Sequence, residues 1–98
     1  MTLRQREPRQ HDKRHLDFIR SLPCCICGGI DTEAAHIRTA SLMDGKRETG
    51  GGEKPDDKWA VPLCGAHHRE QHSMNEMAFW KRYNIDPFLL AIALRAAP

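Results

Sequence analysis

Four cysteines and six histidines are the residues of this 98-residue chain best suited to metal chemistry. Two pairs have the spacing of metal ligands, Cys24-x-x-Cys27 and Cys64-x-x-His67. Tetrahedral zinc takes four sulfur or nitrogen ligands, and three cysteines with one histidine are a standard structural set. The spacing therefore predicts a structural Zn²⁺ ion held by Cys24, Cys27, Cys64 and His67. Because protein ligands fill such a site, this ion should hold the fold and do no chemistry.

Cys25 is the remaining thiol, and its spacing to Cys27 is only Cys-x-Cys. This spacing favours a small packed side chain over a zinc ligand. Gly28 and Gly29 follow the first ligand pair. Since glycine has no Cβ, it permits the tight turn in which backbone N–H groups point at the thiolates.

Three further histidines are candidates for metal or acid–base chemistry. His68 and His72 are four residues apart on a predicted helix, so their imidazoles share one face and can bind one divalent ion. Taken alone, this spacing is equally typical of an exposed helix face. His36 lies on a predicted strand, where a neutral imidazole can accept a proton from water near pH 7. A structural hydrogen bond is the other interpretation of a single strand histidine.

The elements that must position these side chains predict one small α+β domain. Apolar spacing indicates a helix over His15–Leu22, and two short segments, Glu33–Thr39 and Trp59–Leu63, have the character of strands. Pro62 lacks an N–H group, which favours an edge position for the second strand. The glycine-rich segment Asp44–Asp57 between the strands predicts a loop. Three further helices are predicted, from Cys64 to about Ser73, after a cap at Asn75, and after Asp86-Pro87.

Composition indicates a single domain over residues 15–98 that follows a basic, flexible arm over residues 1–14. The net charge is only +2, but arginines and lysines crowd the arm, which favours either a phosphate-binding tail or a solvated terminus. No apolar run approaches the roughly 18 residues that span a bilayer. The N-terminus lacks the apolar core of a secretory signal, so we expect a cytoplasmic protein with reduced thiols and no membrane partner.

Three runs of the sequence, taken together, resemble the HNH nuclease family, also called ββα-metal or His-Me finger. They are Cys24-x-x-Cys27, Ala35-His36-Ile37, and Val61-Pro62-Leu63-Cys64-x-x-His67-His68 followed by His72. The last run is especially similar to phage-borne members, including the nuclease domain of phage recombination enhancement proteins. The resemblance covers roughly Ser21–Asp86.

The resemblance implies a zinc-stapled ββα-metal core with flanking helices and a metal-dependent endonuclease that hydrolyses DNA. His36 matches the general base that activates water, and His68 matches the helix ligand of the catalytic ion. His72 matches a second ligand that some branches have. The ion would be Mg²⁺, Mn²⁺ or Zn²⁺, and it would stabilise the phosphate and the leaving oxygen. The implied setting is the cytoplasm of a bacterial host, with a phage or prophage gene and a recombination protein as a candidate partner.

Two positions depart from the family pattern. Many members place an acidic residue or a histidine directly before the base, as a metal ligand, where this chain has Ala35. Many have an asparagine that orients the base at a position near Trp59, for which Asp57 is a candidate substitute.

Arg38, Lys58 and Arg69 are candidate phosphate contacts, which position a protein on DNA without reading bases. We therefore expect weak sequence preference. The alternative function is a non-catalytic, zinc-stabilised DNA-binding or adaptor module of a phage recombination system. Such a module gives no reason for His36 and His68, and it should tolerate the loss of His36.

Overall fold

Helices pack around a two-stranded sheet in this protein, for which a computed structural model describes residues 11–41, 43, 46 and 55–97. The predicted α+β class is confirmed. The elements follow the predicted order, namely α1 (Lys13–Arg20), β1 (Thr32–His36), β2 (Ala60–Cys64), α2 (Gly65–Ser73), α3 (Glu76–Arg82) and α4 (Pro87–Arg95). Residues 1–10 of the predicted arm, and most of the predicted loop, lie outside the described residues. Among the helices described, none is long and apolar enough to cross a membrane.

Local capping sets the helix bounds. The Asp12 carboxylate accepts from the N–H group of His15, so α1 begins at Lys13, two residues before the predicted start. It ends at Arg20, because Ser21 takes the C-cap position and Pro23 cannot continue a helix. The predicted caps Asn75 and Asp86 both accept hydrogen bonds from backbone N–H groups of the helices that follow them.

The sheet is one antiparallel pair in which Thr32 lies opposite Cys64 and His36 lies opposite Ala60. Trp59 was predicted to begin the second strand, but it lies in a 3₁₀ turn, Asp57–Trp59, that leads into β2. The first strand was predicted to reach Thr39 and ends at His36. It ends there because the N–H groups of Arg38 and Thr39 donate to the carboxylate of Glu76 in α3 instead of to another strand.

Both outer edges of the sheet are covered. Hydrogen-bonding groups of an antiparallel strand alternate between the partner strand and the outer edge. Ile37 donates to the Trp59 carbonyl at 2.9 Å, so the carbonyl of His36 points outward, where Nε2 of Gln71 in α2 donates to it at 3.3 Å. Helix α2 therefore lies along the outer edge of β1. At the outer edge of β2, the carbonyl of Pro62 accepts from the N–H group of Cys25 at 3.0 Å, which agrees with the predicted edge position.

The main core lies between the sheet and the two C-terminal helices. Its buried members are alternate residues of the strands and of the positions next to them, which share one face, together with residues of α3 and α4 and one cysteine, namely Cys24, Ala35, Ile37, Trp59, Val61, Leu63, Phe79, Trp80, Phe88 and Ala91. Helix α4 thus packs in the same core as Trp80. Helix α1 packs on both strands and buries Ile19.

A buried carboxylate joins the end of β1 to α2 and α3. Glu76, in the first turn of α3, is only 7% exposed. Its oxygens accept from the backbone N–H groups of Arg38 and Thr39 at 3.0 and 2.9 Å. They also accept from the Thr39 hydroxyl at 2.8 Å and from Nε2 of Gln71 at 2.8 Å. A carboxylate that accepts several hydrogen bonds can be buried without a large cost, because each removes part of the desolvation penalty.

Replacing Glu76 with alanine should lower the free energy of unfolding by about 3 kcal/mol, because several buried donors lose their acceptor at once. Urea unfolding of the metal-loaded protein measures this change. Glu76→Gln keeps one acceptor oxygen and should lose less, and Asp17→Ala, at the exposed surface of α1, should change stability far less than Glu76→Ala. Equal unfolding midpoints for Glu76→Ala and Asp17→Ala would show that the Glu76 network does not stabilise the fold.

Candidate metal centre and histidine site

The four predicted zinc ligands meet at one point, where β2 joins α2. The ligand atoms of Cys24, Cys27, Cys64 and His67 all lie within 4.8 Å of one another. The sulfur atoms of Cys27 and Cys64 are 3.8 Å apart, and Nδ1 of His67 lies 3.2 Å from the sulfur of Cys64 and 3.7 Å from that of Cys24. A tetrahedron with Zn–S bonds of about 2.3 Å places its sulfur atoms roughly 3.8 Å apart. This Cys₃His cluster can therefore hold a structural metal ion such as zinc.

A tight turn brings the first two cysteines to this point. The N–H group of Gly28 donates to the carbonyl of Cys24 at 2.8 Å, and the N–H group of Cys24 donates to the carbonyl of Gly29 at 2.9 Å. Gly28 has a φ of +73°, a left-handed conformation that glycine adopts without strain. The turn also points the N–H group of Ile26 at the sulfur of Cys24, 3.4 Å away.

The pKa values separate Cys24, the most buried of the ligand thiols, from Cys25. Burial raises the pKa of Cys24, but backbone N–H groups of Cys27, Cys64 and Ile26 outweigh burial and lower the pKa to about 6. Cys24 is then largely a thiolate at pH 7, the form that binds metal. Burial, followed by the nearby charge of Cys24, raises the pKa of Cys25 to about 12. Cys25 therefore stays protonated and packed, as its spacing predicted.

His36 makes a close contact with a buried carboxylate. Its Nε2 lies 3.0 Å from Oδ1 of Asp57, and the Asp57 side chain is 3% exposed. The other oxygen of Asp57 accepts from the N–H group of Asp12 at 2.7 Å, which ties the start of α1 to the 3₁₀ turn. Asp57, considered from sequence only as a substitute for asparagine, therefore does contact His36.

His68 and His72 lie on one face of α2, as their spacing predicted, with ring centroids 5.0 Å apart. They line a shallow surface pocket of about 430 Å³ together with Arg69 and Ser73. Desolvation, then the positive charges of Arg38 and His68, lower the pKa of His72. A lowered pKa keeps the imidazole neutral near pH 7, which is the form that can bind a metal ion.

These two histidines lie beside opposite ends of β1. Nδ1 of His68 is 2.7 Å from Oε1 of Glu33, near the start of the strand, whereas His72 is close enough to Arg38, beyond its end, for the guanidinium to affect its pKa. Alternation along the strand directs the side chains of Glu33 and His36 to opposite faces. Helix α2 lies along the outer edge of β1, where these two faces of the sheet meet.

The three predicted phosphate contacts, Arg38, Lys58 and Arg69, all have exposed side chains. Arg69 lines the histidine pocket, and Arg38 is near His72. Lys58 lies in the 3₁₀ turn beside Asp57.

Sequence reasoning missed Glu33, Gln71 and Glu76. The strand register places Glu33 beside α2, and the packing of α2 and α3 against the end of β1 gives Gln71 and Glu76 their partners, so the local sequence carries no signal for them.

A family model with the description "Protein of unknown function (DUF968)" matches residues 2–97. No curated protein and no solved structure matches the chain. That description states no activity, so the functional argument depends on the site itself.

Zinc analysis should find one ion per chain, and Cys24→Ser should lose that ion while the adjacent Cys25→Ser retains it. A structural zinc in a small domain contributes on the order of 10–16 kcal/mol of apparent binding energy, comparable to the whole stability of a domain. Prolonged chelation should therefore unfold the wild type, as circular dichroism would report. Full zinc content in Cys24→Ser, or a folded metal-free protein, would contradict the assignment.

Proposed function

Because the chain belongs to the DUF968 family, whose description states no function, we propose its function from the site: a metal-dependent DNA endonuclease of the HNH type. In this proposal the fold is a zinc-stapled ββα-metal core, His36 is the general base, and His68 and His72 hold a divalent ion. One observation carries the proposal. A buried carboxylate fixes the His36 ring, and this histidine lies on the strand whose outer edge runs along the helix that carries His68 and His72.

The contact with Asp57 prepares His36 to accept a proton. An ionised carboxylate can only accept hydrogen bonds, so Nε2 of His36 carries the ring proton and donates it to Oδ1 at 3.0 Å. Nδ1 then holds the lone pair that removes a proton from water as the water attacks phosphorus. The anion of Asp57 also stabilises the imidazolium that results, as the aspartate does in the serine protease triad.

The donor set on α2 fits a divalent ion. Two imidazoles one helical turn apart converge on one side of the helix, and imidazole nitrogen suits zinc and other transition metals. When bound, such an ion would act as a Lewis acid at the scissile phosphate. His68 and His72 would hold it beside Arg69, at the surface pocket, where a backbone phosphate can approach.

The two departures from the family pattern have structural counterparts. In this proposal Asp57 substitutes for the asparagine that orients the base, and the contact of its carboxylate with His36 supports that role. Ala35 is completely buried in the core, and its methyl side chain has no atom that can bind a metal ion. It therefore cannot serve as the metal ligand that many members have before the base. A carboxylate does lie close to the helix histidines, but Glu33 supplies it.

DNA is the proposed substrate, because exposed cationic side chains lie at the histidine pocket, near His72, and in the 3₁₀ turn beside Asp57. Arg38, Lys58 and Arg69 would contact phosphates and leave bases unread, so sequence preference should be weak. The proposed setting remains a phage or prophage recombination system in a bacterial host.

One observation favours a non-catalytic DNA-binding or adaptor module. Asp57 also accepts from the backbone of Asp12, so the contact between Asp57 and His36 can serve to hold α1 against the sheet. In that case His36 would stabilise the fold and would have no part in chemistry. Removing His36 distinguishes the two functions, provided that folding and activity are measured separately.

In the nuclease proposal, the wild type should nick supercoiled plasmid with Mg²⁺ or Mn²⁺, and EDTA should stop it. His36→Ala should lower the nicking rate about 10²–10⁴-fold, the usual contribution of a general base, while zinc content and DNA binding persist. His68→Ala should lose activity in the same way. His15→Gln, a histidine replacement on α1 away from the pocket, is the matched control and should nick normally. Undiminished nicking by folded His36→Ala would overturn the role of His36 as base, and no nicking with any ion would favour the binding module.

A further inference from the structure

Glu33 makes a short contact with His68 across a long interval of sequence. Oε1 of Glu33, on β1, lies 2.7 Å from Nδ1 of His68, on α2. The Glu33 side chain is 55% exposed, and that of His68 is 22% exposed. Because water can replace His68 as the partner of an exposed carboxylate, this contact contributes little to the stability of the fold. Its main effect is to hold the imidazole ring of His68 in one orientation.

The backbone leaves room for this contact at Gly65, the first residue of α2. A Cβ atom at Gly65 would lie 3.4 Å from Oε2 of Glu33 and 3.2 Å from Nη1 of Arg69. The second distance is tighter than ordinary van der Waals contact, so any larger side chain would have to displace its neighbours. The absence of a side chain at Gly65 therefore lets Glu33 and Arg69 lie together over the first turn of α2, beside His68.

The chemistry of the contact selects one tautomer of His68. An ionised carboxylate only accepts, so in the neutral ring of His68 the proton is on Nδ1 and the lone pair is on Nε2. Histidines that ligate metal ions almost always donate their other ring N–H group to a carboxylate, a carbonyl or water. The pair formed by Glu33 and His68 has this arrangement.

We propose that Glu33 is a positioning residue, which orients His68 through Nδ1 and presents Nε2 to the divalent ion. The part of this inference that concerns the ion rests on the proposed function. Glu33 acts through His68, because Oε1 contacts the ring and Oε2 lies over Gly65 beside Arg69. A carboxylate thus serves the metal site of this chain from three residues before the base, where the position directly before the base is a buried alanine.

The first test is the tautomer of His68, read from long-range proton–nitrogen NMR of imidazole-labelled, zinc-loaded protein. The wild type should show His68 protonated at Nδ1. Glu33→Ala should lose this preference, and Glu33→Gln should keep it, because the amide oxygen can still accept. Asp17→Ala, which removes a carboxylate of similar exposure (52%) from α1, should leave His68 unchanged. A wild-type His68 whose neutral ring is protonated at Nε2 would overturn the proposal. This measurement requires only the structural zinc and no catalytic ion.

The second test is the affinity for a second equivalent of Zn²⁺, measured by calorimetry on protein that already holds its structural ion. His68→Ala identifies the heat that belongs to this site. Glu33→Ala should weaken the affinity about 10–100-fold, the usual effect of losing such a partner. Glu33→Gln should remain closer to the wild type, and Asp17→Ala should match it. Equal affinity in Glu33→Ala and the wild type would overturn the positioning role, as would Glu33→Gln as weak as Glu33→Ala.

The outcomes separate this inference from the proposed function. Binding of the second ion with the predicted effects of Glu33, but without nicking of DNA, would support the positioning role and reject the nuclease. Nicking of DNA, together with a Glu33→Ala variant whose Zn²⁺ affinity and His68 tautomer match those of the wild type, would support the nuclease and reject the positioning role. A wild type that takes up no second Zn²⁺ would reject the positioning role at the ion, while nicking with Mg²⁺ or Mn²⁺ would still decide the nuclease.

Discussion

The structure depends on the convergence of three thiols and one imidazole where β2 becomes α2. Cys64 ends the strand and takes the N-cap position of the helix, and His67 lies in the first turn. An ion held there with Cys24 and Cys27 would fix both the starting point and the rotation of α2. The rotation of α2 about its axis determines the directions in which the side chains of His68, Arg69 and His72 point. The same turn of cysteines also covers the outer edge of β2, through the N–H group of Cys25.

The other end of α2 is held by polar contacts in a buried setting. Gln71 is completely buried and donates both to the carbonyl of His36 and to Glu76. Its own oxygen has no hydrogen-bond partner within the described residues, a cost that the two contacts of Nε2 offset in part. Helix α2 is therefore fixed at its start by the cysteine cluster and near its end by Glu76. Between these two points it can hold His68 and His72 in register with β1.

Short-range pattern explains why so much of the fold was predictable. The ligand spacings around Cys24 and Cys64 predicted the metal cluster, and caps such as Asn75 and Asp86 predicted helix starts, because each of these features is settled within a few residues. The error at Trp59 is local, because its N–H group donates to the carbonyl of Asp56 in the 3₁₀ turn, whereas the error at Thr39 has a tertiary cause. The N–H group of Thr39 donates to Glu76, far away in sequence, and no local rule makes that acceptor visible.

The candidate site shows the same limit more sharply. The histidines were found from their spacing, but their partners Glu33 and Asp57 are acidic residues with no distinguishing pattern. Glu33 meets His68 only because the register of the strands places Thr32 opposite Cys64, which brings the start of β1 beside the start of α2. A one-residue shift of that register would turn the Glu33 side chain to the opposite face of the sheet. The partners of a site are thus determined by pairing across the chain, which a single sequence does not reveal.

Three histidines of one small domain acquire different chemistry from such partners. His67 faces sulfur atoms and completes a closed ligand set. The adjacent His68 is turned by about 100° around the helix and meets a carboxylate at Nδ1, which leaves Nε2 as the nitrogen that faces outward from the pair. His36 meets its carboxylate at Nε2 instead, so its basic nitrogen is the opposite one. Because the tautomer of an imidazole is set by the hydrogen bond that its other nitrogen makes, the positions of Glu33 and Asp57 decide which histidine nitrogen can bind metal and which can accept a proton.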